Sequence, residues 1–339
     1  MRFIVFILLF LSLFGCSYKD IEDYALILGL GIDKINENIK ITFEVFEEEK
    51  KSKIIEIEKK SIEECFDSFE KENKTIPYIN HCSIVILGEE CAKENIKPVL
   101  DFIIHDPDFR ITTILCIAKE KMASEIFDNK KNNIVSTDLS LAYDLSIHKS
   151  DCVDIKRIYN LIDQLIFCNS VFVPIVSIND EAFDISGGAL IEDFKLKFFV
   201  NKDEINYLKI LKNKLKSGII KIDDFEIKIK NCKTNLSFKN DNLFVYTLME
   251  VMVYQKLDYE ELVNLENFIK NKLEKKLKES LEFINTYKVD PLNMQQMIFK
   301  NDPILYSKIS DDFYLYYSKL KFDVKCNVNI LTSGYSNGF

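Results

Sequence analysis

Apolar and polar residues alternate along most of the chain in patterns that predict strands and helices, but the first stretch differs. Residues 3–14 are apolar except for Ser12, and Arg2 precedes them. A membrane-spanning helix needs about 20 apolar residues, so this run is too short to cross a bilayer permanently. Its length and its basic start are typical of a secretory signal peptide.

Strand and helix patterns alternate over the next hundred residues and predict an N-terminal α/β domain at 21–127. Asn36 lies in a turn between the first two strands, and Ser61 opens a helix with a capping-box pattern. The predicted strands are 25–33, 39–45, 84–88 and 111–118, an edge strand lies within 47–60, and the predicted helices are 61–71, 90–104 and 121–127.

The rest of the chain predicts a middle domain at 128–200 and a C-terminal α+β domain at 201–335. Pro174 lies inside an apolar run and predicts a sheet edge or a bulge. The long helix 258–287 carries an apolar stripe at helical spacing and is expected to pack on a sheet. The other predicted helices are 137–147, 154–167, 203–216 and 291–300, and the predicted strands are 171–176, 186–191, 196–200, 219–230, 234–239, 242–255 and 320–331. The predicted fold class is therefore α+β, an elongated multi-domain body of mixed sheets with packed helices.

The apolar run ends in Leu13-Phe14-Gly15-Cys16, which looks like a bacterial lipobox. Cleavage after small Gly15 would leave Cys16 as a new N-terminus whose thiol carries a diacylglycerol, although Phe14 is bulkier than usual. This predicts a cleaved signal peptide at 1–15 and a lipidated tether at 16–20. A plain secretion signal, or an uncleaved anchor with an incidental cysteine, are the alternatives. With a lipid anchor, the body would be held on the outer face of a membrane.

Charge and cysteine content limit the function further. The net charge is −9, and acidic and basic residues are interspersed, so no basic stripe points to nucleic acid or to an anionic membrane surface. An exported protein can form disulfides, yet several cysteines lie in apolar runs, which favours buried free thiols. The cysteines other than Cys16 are Cys65, Cys82, Cys91, Cys116, Cys152, Cys168, Cys232 and Cys326.

Motifs for catalysis, metals and cofactors are absent from the sequence. Gly29-Leu30-Gly31 lacks the third glycine and the following helix of a dinucleotide-binding loop, and therefore predicts a strand. His81, His105 and His148 have no metal-ligand spacing, and there is no CxxC pair. We predict no catalytic, metal-binding or cofactor-binding residue and no enzymatic activity.

Several segments, in this order, resemble the C-subunit lipoproteins of bacterial spore germinant receptors, the Ger(x)C family. They are 21–33, with Gly29-Leu30-Gly31-Ile32-Asp33, then 83–90, 99–110 and 187–220. Two departures stand out. Relatives tend to carry Asp followed by a Gly/Phe-rich turn after the long helix, whereas here the turn reads Asp290-Pro291-Leu292-Asn293. Residues 313–317 lie where relatives often carry a tryptophan, which this chain lacks.

The resemblance implies a non-enzymatic subunit that assembles with two membrane-embedded subunits at the inner spore membrane, where small nutrients trigger germination. It implies no cofactor, and lipidation of Cys16 is the only site that carries over to this chain. Which nutrient acts, and whether this subunit contacts it, stay open, while exposed faces of 201–335 are candidate partner surfaces.

A solute-binding lipoprotein of a transporter is the alternative, and a membrane-tethered enzyme is a third hypothesis. A solute-binding protein needs two lobes around a cleft often lined by aromatics, which this chain fits poorly.

Overall fold

The computed structural model describes residues 21–48, 51–129, 134–146, 152–153, 157–179, 182–223, 225–239, 241–253 and 258–333. The predicted signal peptide, Cys16, the tether and His148 lie outside these residues. The strands within them are β1 Tyr24–Ile35, β2 Asn38–Phe46, β3 Ser52–Lys59, β4 Ile76–Tyr78, β5 Ile84–Leu87, β6 Ile114–Ala118, β7 Ser170–Val173, β8 Ile175–Asn179, β9 Ala182–Asp184, β10 Gly188–Glu192, β11 Lys195–Val200, β12 Gly218–Ile222, β13 Phe225–Lys239, β14 Asn242–Val253 and β15 Lys321–Ser333.

Helices pack on all three sheets of the described chain. Their bounds are α1 Ile62–Asn73, α2 Glu89–Glu94, α3 Lys97–His105, α4 Ala123–Phe127, α5 Val135–Ser146, α6 Ile158–Cys168, α7 Lys202–Leu211, α8 Tyr259–Thr286, α9 Met294–Asn301, α10 Pro303–Ile309 and α11 Phe313–Tyr317. The mixed sheets with packed helices are those that the sequence predicted. The division at 21–127, 128–200 and 201–335 stays a prediction.

The first sheet has eight strands in the order β3-β2-β1-β5-β6-β8-β9, with β4 paired to the start of β1. β1 and β2 form the predicted antiparallel hairpin, and β3 is the predicted edge strand. β1, β5 and β6 run parallel, and every residue of β5 and β6 is buried because helices cover both faces.

Pro174 divides the predicted strand 171–176 between two sheets. β7 is an edge strand of a three-stranded sheet, β11-β10-β7, whereas β8 joins the first sheet beside β6. Proline has no N–H to donate, but its carbonyl oxygen accepts the N–H of Ile117 at 3.0 Å. The proline thus lies at the point where the chain passes from one sheet to the other.

The third sheet has the order β12-β13-β14-β15 and is covered on one face by α8. Here the predicted strands 219–230 and 234–239 are wrong. The chain turns at Asp223, where φ is 50°, and β13 then continues without interruption. A register shift between Ile229 and Asn231 reverses the alternation of exposed and buried residues, and this bulge resembles a strand end in the sequence.

Helix bounds also depart from the prediction in places. The predicted helix 90–104 is two helices, because α2 ends at Glu94 and a new helix, α3, starts with Pro98 in its first turn. The predicted helix 203–216 ends at Leu211. α10 and α11 were not predicted from the sequence. By contrast, α8 matches its prediction closely, with Asp258 as its N-cap.

The eight cysteines other than Cys16 are free, and all but Cys168 are buried, as predicted. Burial raises the pKa of the Cys82 and Cys116 thiols to about 12. Such thiols stay protonated at neutral pH and behave as small apolar side chains. They contribute to the cores of the sheets.

Two glycines of β1 let helices lie directly on the first sheet. A Cβ on Gly29 would lie 2.8 Å from Cβ of Ser136 in α5 and 3.1 Å from the Phe127 ring in α4. A Cβ on Gly31 would lie 3.1 Å from the same ring. The Gly-Leu-Gly segment is therefore a packing surface, as the strand prediction for this segment requires.

Gly29→Ala is expected to destabilise the protein by about 1–3 kcal/mol, because a methyl group has no space between β1 and α5. Backbone strain does not enter, since among the described glycines only Gly187 and Gly218 have positive φ. Urea unfolding followed by circular dichroism measures the change. Gly31→Ala is the matched comparison, and its smaller crowding predicts a smaller loss. An unchanged stability of Gly29→Ala would contradict the packing argument.

Candidate functional site

The outer face of the third sheet carries a row of exposed apolar side chains on β14. Phe244, Tyr246 and Leu248 are 36%, 45% and 40% exposed, and we call these three residues the β14 face. The residues between them, such as Val245, point to the opposite side and are buried. Strand alternation thus places one apolar row in the core and a second one on the surface.

Polar residues of the neighbouring strands surround the β14 face. On β13 the residues opposite are Ser237, Asn235 and Lys233, and on β15 they are Asp323, Lys325 and Asn327. An apolar centre with a polar rim of both charges is the usual composition of a protein–protein interface. It offers no catalytic group, so the chemistry that it supports is binding of another protein surface.

The inner side of the same sheet is held rigidly by α8. Leu265, Ile269, Leu273 and Leu277 lie on one stripe of this helix and are buried in the core that it shares with the sheet. The burial of such a leucine side chain contributes about 2 kcal/mol. The apolar stripe predicted for 258–287 is confirmed.

Helix α8 also covers the edge of the sheet. Glu274 accepts the backbone N–H of Cys326, and Glu266 accepts that of Ile330, both at 2.8 Å. These N–H groups belong to β15, the last strand of the sheet. Because the side chains of α8 occupy edge donors that another strand would need, the open β14 face is more available to a partner than this edge.

A buried polar joint links the second sheet to the C-terminal helices. Glu192 of β10 is 2% exposed, and one of its carboxylate oxygens accepts the Tyr314 O–H. Its other oxygen accepts the backbone N–H of Asp290 at 3.2 Å. The Asp290 carboxylate in turn accepts the N–H groups of Met294 and Gln295, at 2.8 and 2.9 Å, and so caps α9.

Burial raises the pKa of both acids of this joint. For Glu192 the hydrogen bonds from Tyr314 and from the Asp290 N–H oppose the effect of burial. For Asp290 the N–H groups of Gln295 and Met294 oppose it. Each carboxylate therefore depends on its donors to stay charged in a dry environment.

Both sequence departures from the Ger(x)C pattern lie at this joint. Asp290 begins the unusual turn, and the Ser170 hydroxyl donates to its carbonyl oxygen at 3.1 Å. Tyr314 belongs to α11, in which Phe313 and Tyr317 are buried as a stacked pair with ring centres 5.7 Å apart. Glu192 was not predicted as a site residue, because no local sequence pattern marks a buried glutamate.

Surface clefts in the described chain contain no catalytic constellation. The cleft between α7 and α8 has a volume of about 630 Å³ and is lined by Tyr207, Glu204, Lys276 and Glu279 among others. No group of three or more potential metal ligands occurs among the described residues, and His81 and His105 belong to no such cluster. The His105 Nδ1 lies 2.7 Å from the carbonyl oxygen of Asp101 in its own helix.

None of the helices in the described ranges is long and apolar enough to cross a membrane. Cys16, the one site residue predicted from the sequence, lies outside the described residues. Its lipidation stays a prediction.

Comparison with known proteins identifies the family. The family described as "Spore germination protein N-terminal domain" matches residues 17–178, and "Spore germination B3/ GerAC like, C-terminal" matches residues 186–334. The chain belongs to the GerAC family of spore germination proteins. This confirms the resemblance to germinant-receptor C subunits, which are membrane-associated and non-enzymatic. No functionally curated protein matches the chain.

A solved structure shares the fold. The crystal structure of the GerBC protein superimposes with a TM-score of 0.62 at 20% sequence identity, covering 92% of this chain and 100% of that one. This likeness confirms the mixed α/β architecture with packed helices.

Tyr314→Phe is expected to destabilise the protein by about 1–3 kcal/mol, because the buried Glu192 carboxylate loses a hydrogen-bond donor. Losing that donor also raises the Glu192 pKa further. With a raised pKa, the folded state favours the protonated Glu192 carboxyl. The contribution of this carboxyl to stability is therefore present at low pH and is lost as the pH rises through its folded-state pKa. The deficit of the variant should therefore be smallest near pH 4 and grow towards neutral pH (urea unfolding at each pH).

Tyr316→Phe is the matched control for this experiment. The Tyr316 O–H donates to Asp241, but this carboxylate is exposed to water. Removal of the Tyr316 hydroxyl should change the free energy of unfolding by less than about 0.5 kcal/mol. Equal losses for the two variants, or a deficit independent of pH, would contradict the role of Glu192.

Proposed function

We propose that this germinant-receptor C subunit is anchored by lipid at Cys16 on the outer face of the inner spore membrane. There it assembles with two membrane-embedded subunits and supports germination triggered by nutrients. The observation that carries the proposal is the consecutive match of both family domains over residues 17–178 and 186–334. The lipobox directly precedes the matched region. An acyl anchor supplies the membrane attachment for which the described helices contain no spanning segment.

The β14 face is the proposed contact surface for an embedded subunit. It is apolar at its centre, and three of the six flanking residues on β13 and β15 are uncharged while the other three, Lys233, Asp323 and Lys325, include both signs, so a partner needs no strong charge of its own. Tyrosine and phenylalanine are enriched in interface centres, where they bury a large area with few rotatable bonds. The surface belongs to the region 201–335, in which the sequence analysis placed the candidate partner faces.

Cys16→Ala is expected to remove the protein from the spore membrane fraction and to delay nutrient-triggered germination, because no thiol remains to accept the diacylglycerol. Immunoblotting of membrane and soluble spore fractions checks the first effect, and loss of optical density after nutrient addition checks the second. Cys168→Ala changes a free cysteine of the folded body and should leave both unaffected. Unchanged membrane retention of Cys16→Ala would refute the lipid anchor.

Tyr246→Lys is expected to weaken co-purification with the embedded subunits by about ten-fold or more, because the centre of the β14 face would become charged. The folding stability should change little, since this side chain is on the surface. Tyr259→Lys is the matched control, because Tyr259 is 84% exposed at the start of α8 and lies outside the β14 face. Full recovery of the complex with Tyr246→Lys would exclude this surface as the contact.

A further inference from the structure

The short distance along the chain between Cys16 and the first strand limits how the body can be oriented on a membrane. Five Cα-to-Cα steps separate Cys16 from Ile21, and a fully extended chain covers about 18 Å over five residues. Ile21 must therefore lie within about that distance of a bilayer that holds the lipid of Cys16, and β1 starts only three residues later, at Tyr24. The surface around Tyr24 is the part of the body that this restriction brings closest to the membrane.

The far end of β1 lies at the end of the first sheet opposite to Tyr24. It runs for 12 residues without interruption from Tyr24 to Ile35. At about 3.3 Å per residue, the turn at its far end lies about 36 Å from Tyr24. Asn36 and Glu37 in this turn are exposed and provide a reference point away from the anchored end.

A continuous row of contacts connects Tyr24 to residues from other parts of the chain. The ring centres of Tyr24 and Tyr78 lie 5.6 Å apart, and Asn80 donates to the Tyr78 hydroxyl at 3.2 Å. Arg110 Nε donates to the Asn80 side chain at 2.9 Å. The next residue, Ile111, accepts the backbone N–H of Tyr159 at 3.1 Å. We call the surface formed by Tyr24, Tyr78, Arg110, Ile111 and Tyr159 the tether end.

The side chains of the tether end suit the boundary between lipid and water. Tyr24, Ile111 and Tyr159 are 38%, 51% and 42% exposed. Tyrosine has an apolar ring and a polar tip, and it is enriched at membrane interfaces. Arg110 and nearby Arg157, which donates to the Thr112 carbonyl oxygen, are the only arginines of the sequence after Arg2. Arginine can extend its charge to lipid phosphates while its stem stays in an apolar layer.

Acidic residues at the same end determine which lipid chemistry fits. Glu22, Asp23 and Asp108 are exposed there, and Arg157 is paired with Asp144 at 3.0 Å. The four acids named here outnumber the two arginines, so these charges sum to −2 and give the surface no net attraction for anionic headgroups. Insertion of tyrosine and isoleucine side chains into the interface, rather than attraction to anionic headgroups, is the interaction that this composition supports.

We propose that the tether end lies against the phospholipid bilayer, with Ile111 and Tyr159 in its interfacial zone. The proposal rests on the lipid anchor of the proposed function and adds an orientation to it. β1 then points away from the membrane, and the turn at Glu37 lies on the distal side of the first sheet.

The absence of tryptophan from the chain allows a direct test. Ile111→Trp and Tyr159→Trp each introduce one fluorophore into the tether end, and Glu37→Trp introduces one at the opposite end of β1. Each full-length lipidated protein is reconstituted into phosphatidylcholine vesicles with or without brominated acyl chains, which quench nearby tryptophan. We expect about a two-fold loss of fluorescence for the first two variants and almost none for Glu37→Trp, since tryptophan at the interface lies next to the chains.

The controls separate the orientation from the anchor. Flotation of each variant with the vesicles shows that it is attached, and Cys16→Ala should not float. Attached protein without quenching at 111 and 159, or with equal quenching at 37, overturns the orientation but leaves the anchor in place. Lipidated protein that fails to float overturns both.

Two further measurements complete the test. Tyr24→Trp reports on the same surface if either first variant fails to fold, as judged by circular dichroism. Vesicles with added phosphatidylglycerol should give the same quenching as neutral ones. Quenching that appears only with the anionic lipid would overturn the interfacial insertion in favour of charge attraction.

Discussion

Buried carboxylates that accept backbone N–H groups of helices are the interaction on which this structure depends most. Asp33 of β1 accepts the N–H groups of Ala123 and Ser124, at 2.7 and 3.0 Å, where α4 begins. Glu44 of β2 does the same for Val135 and Ser136 of α5, at 2.6 and 2.9 Å. A carboxylate without such donors is very unfavourable in a protein interior, so each helix is required at its position.

The Asp290 carboxylate repeats this arrangement at the start of α9, far from the first sheet. Together with Glu192 and Tyr314 it connects the second sheet to the C-terminal helices. The packed sheets and helices also hold the β14 face and the tether end in place. The β14 face is presented by a sheet that α8 fixes from behind, and the tether end is presented by the start of β1 and its neighbours. A subunit that binds partners at one surface and a membrane at another needs this kind of rigid connection between them.

Local patterns predicted much of the fold, and long-range contacts explain where they failed. The alternation of β1 and β2 and the stripe of α8 are properties of neighbouring residues, and their predictions are confirmed. The turn at Asp223 has no glycine or proline, and the bulge before Asn231 reverses the pattern of β13. The partners of Asp33, Glu44 and Glu192 are about 90 to 120 residues away, so no sequence window contains both groups of a pair. The β14 face was foreseen only as one of the exposed faces of the C-terminal region, and the tether end was not foreseen.

Two of the segments that carried the family resemblance, 21–33 and 83–90, pack closely against their surroundings. Gly29 and Gly31 make room for α4 and α5, and a Cβ on Gly88 would lie 2.1 Å from the Asp33 carboxylate oxygen. Two of the resembling segments thus meet at one buried acid.

The two departures from the family pattern meet in the same way. Tyr314, from the region without tryptophan, donates to the carboxylate of Glu192, whose other oxygen accepts the N–H of Asp290 in the unusual turn. A change in the turn alters the surroundings of Glu192, and so does a change in the aromatic segment. The hydrogen-bond demand of one buried glutamate therefore couples the turn that begins at Asp290 to the aromatic segment 313–317.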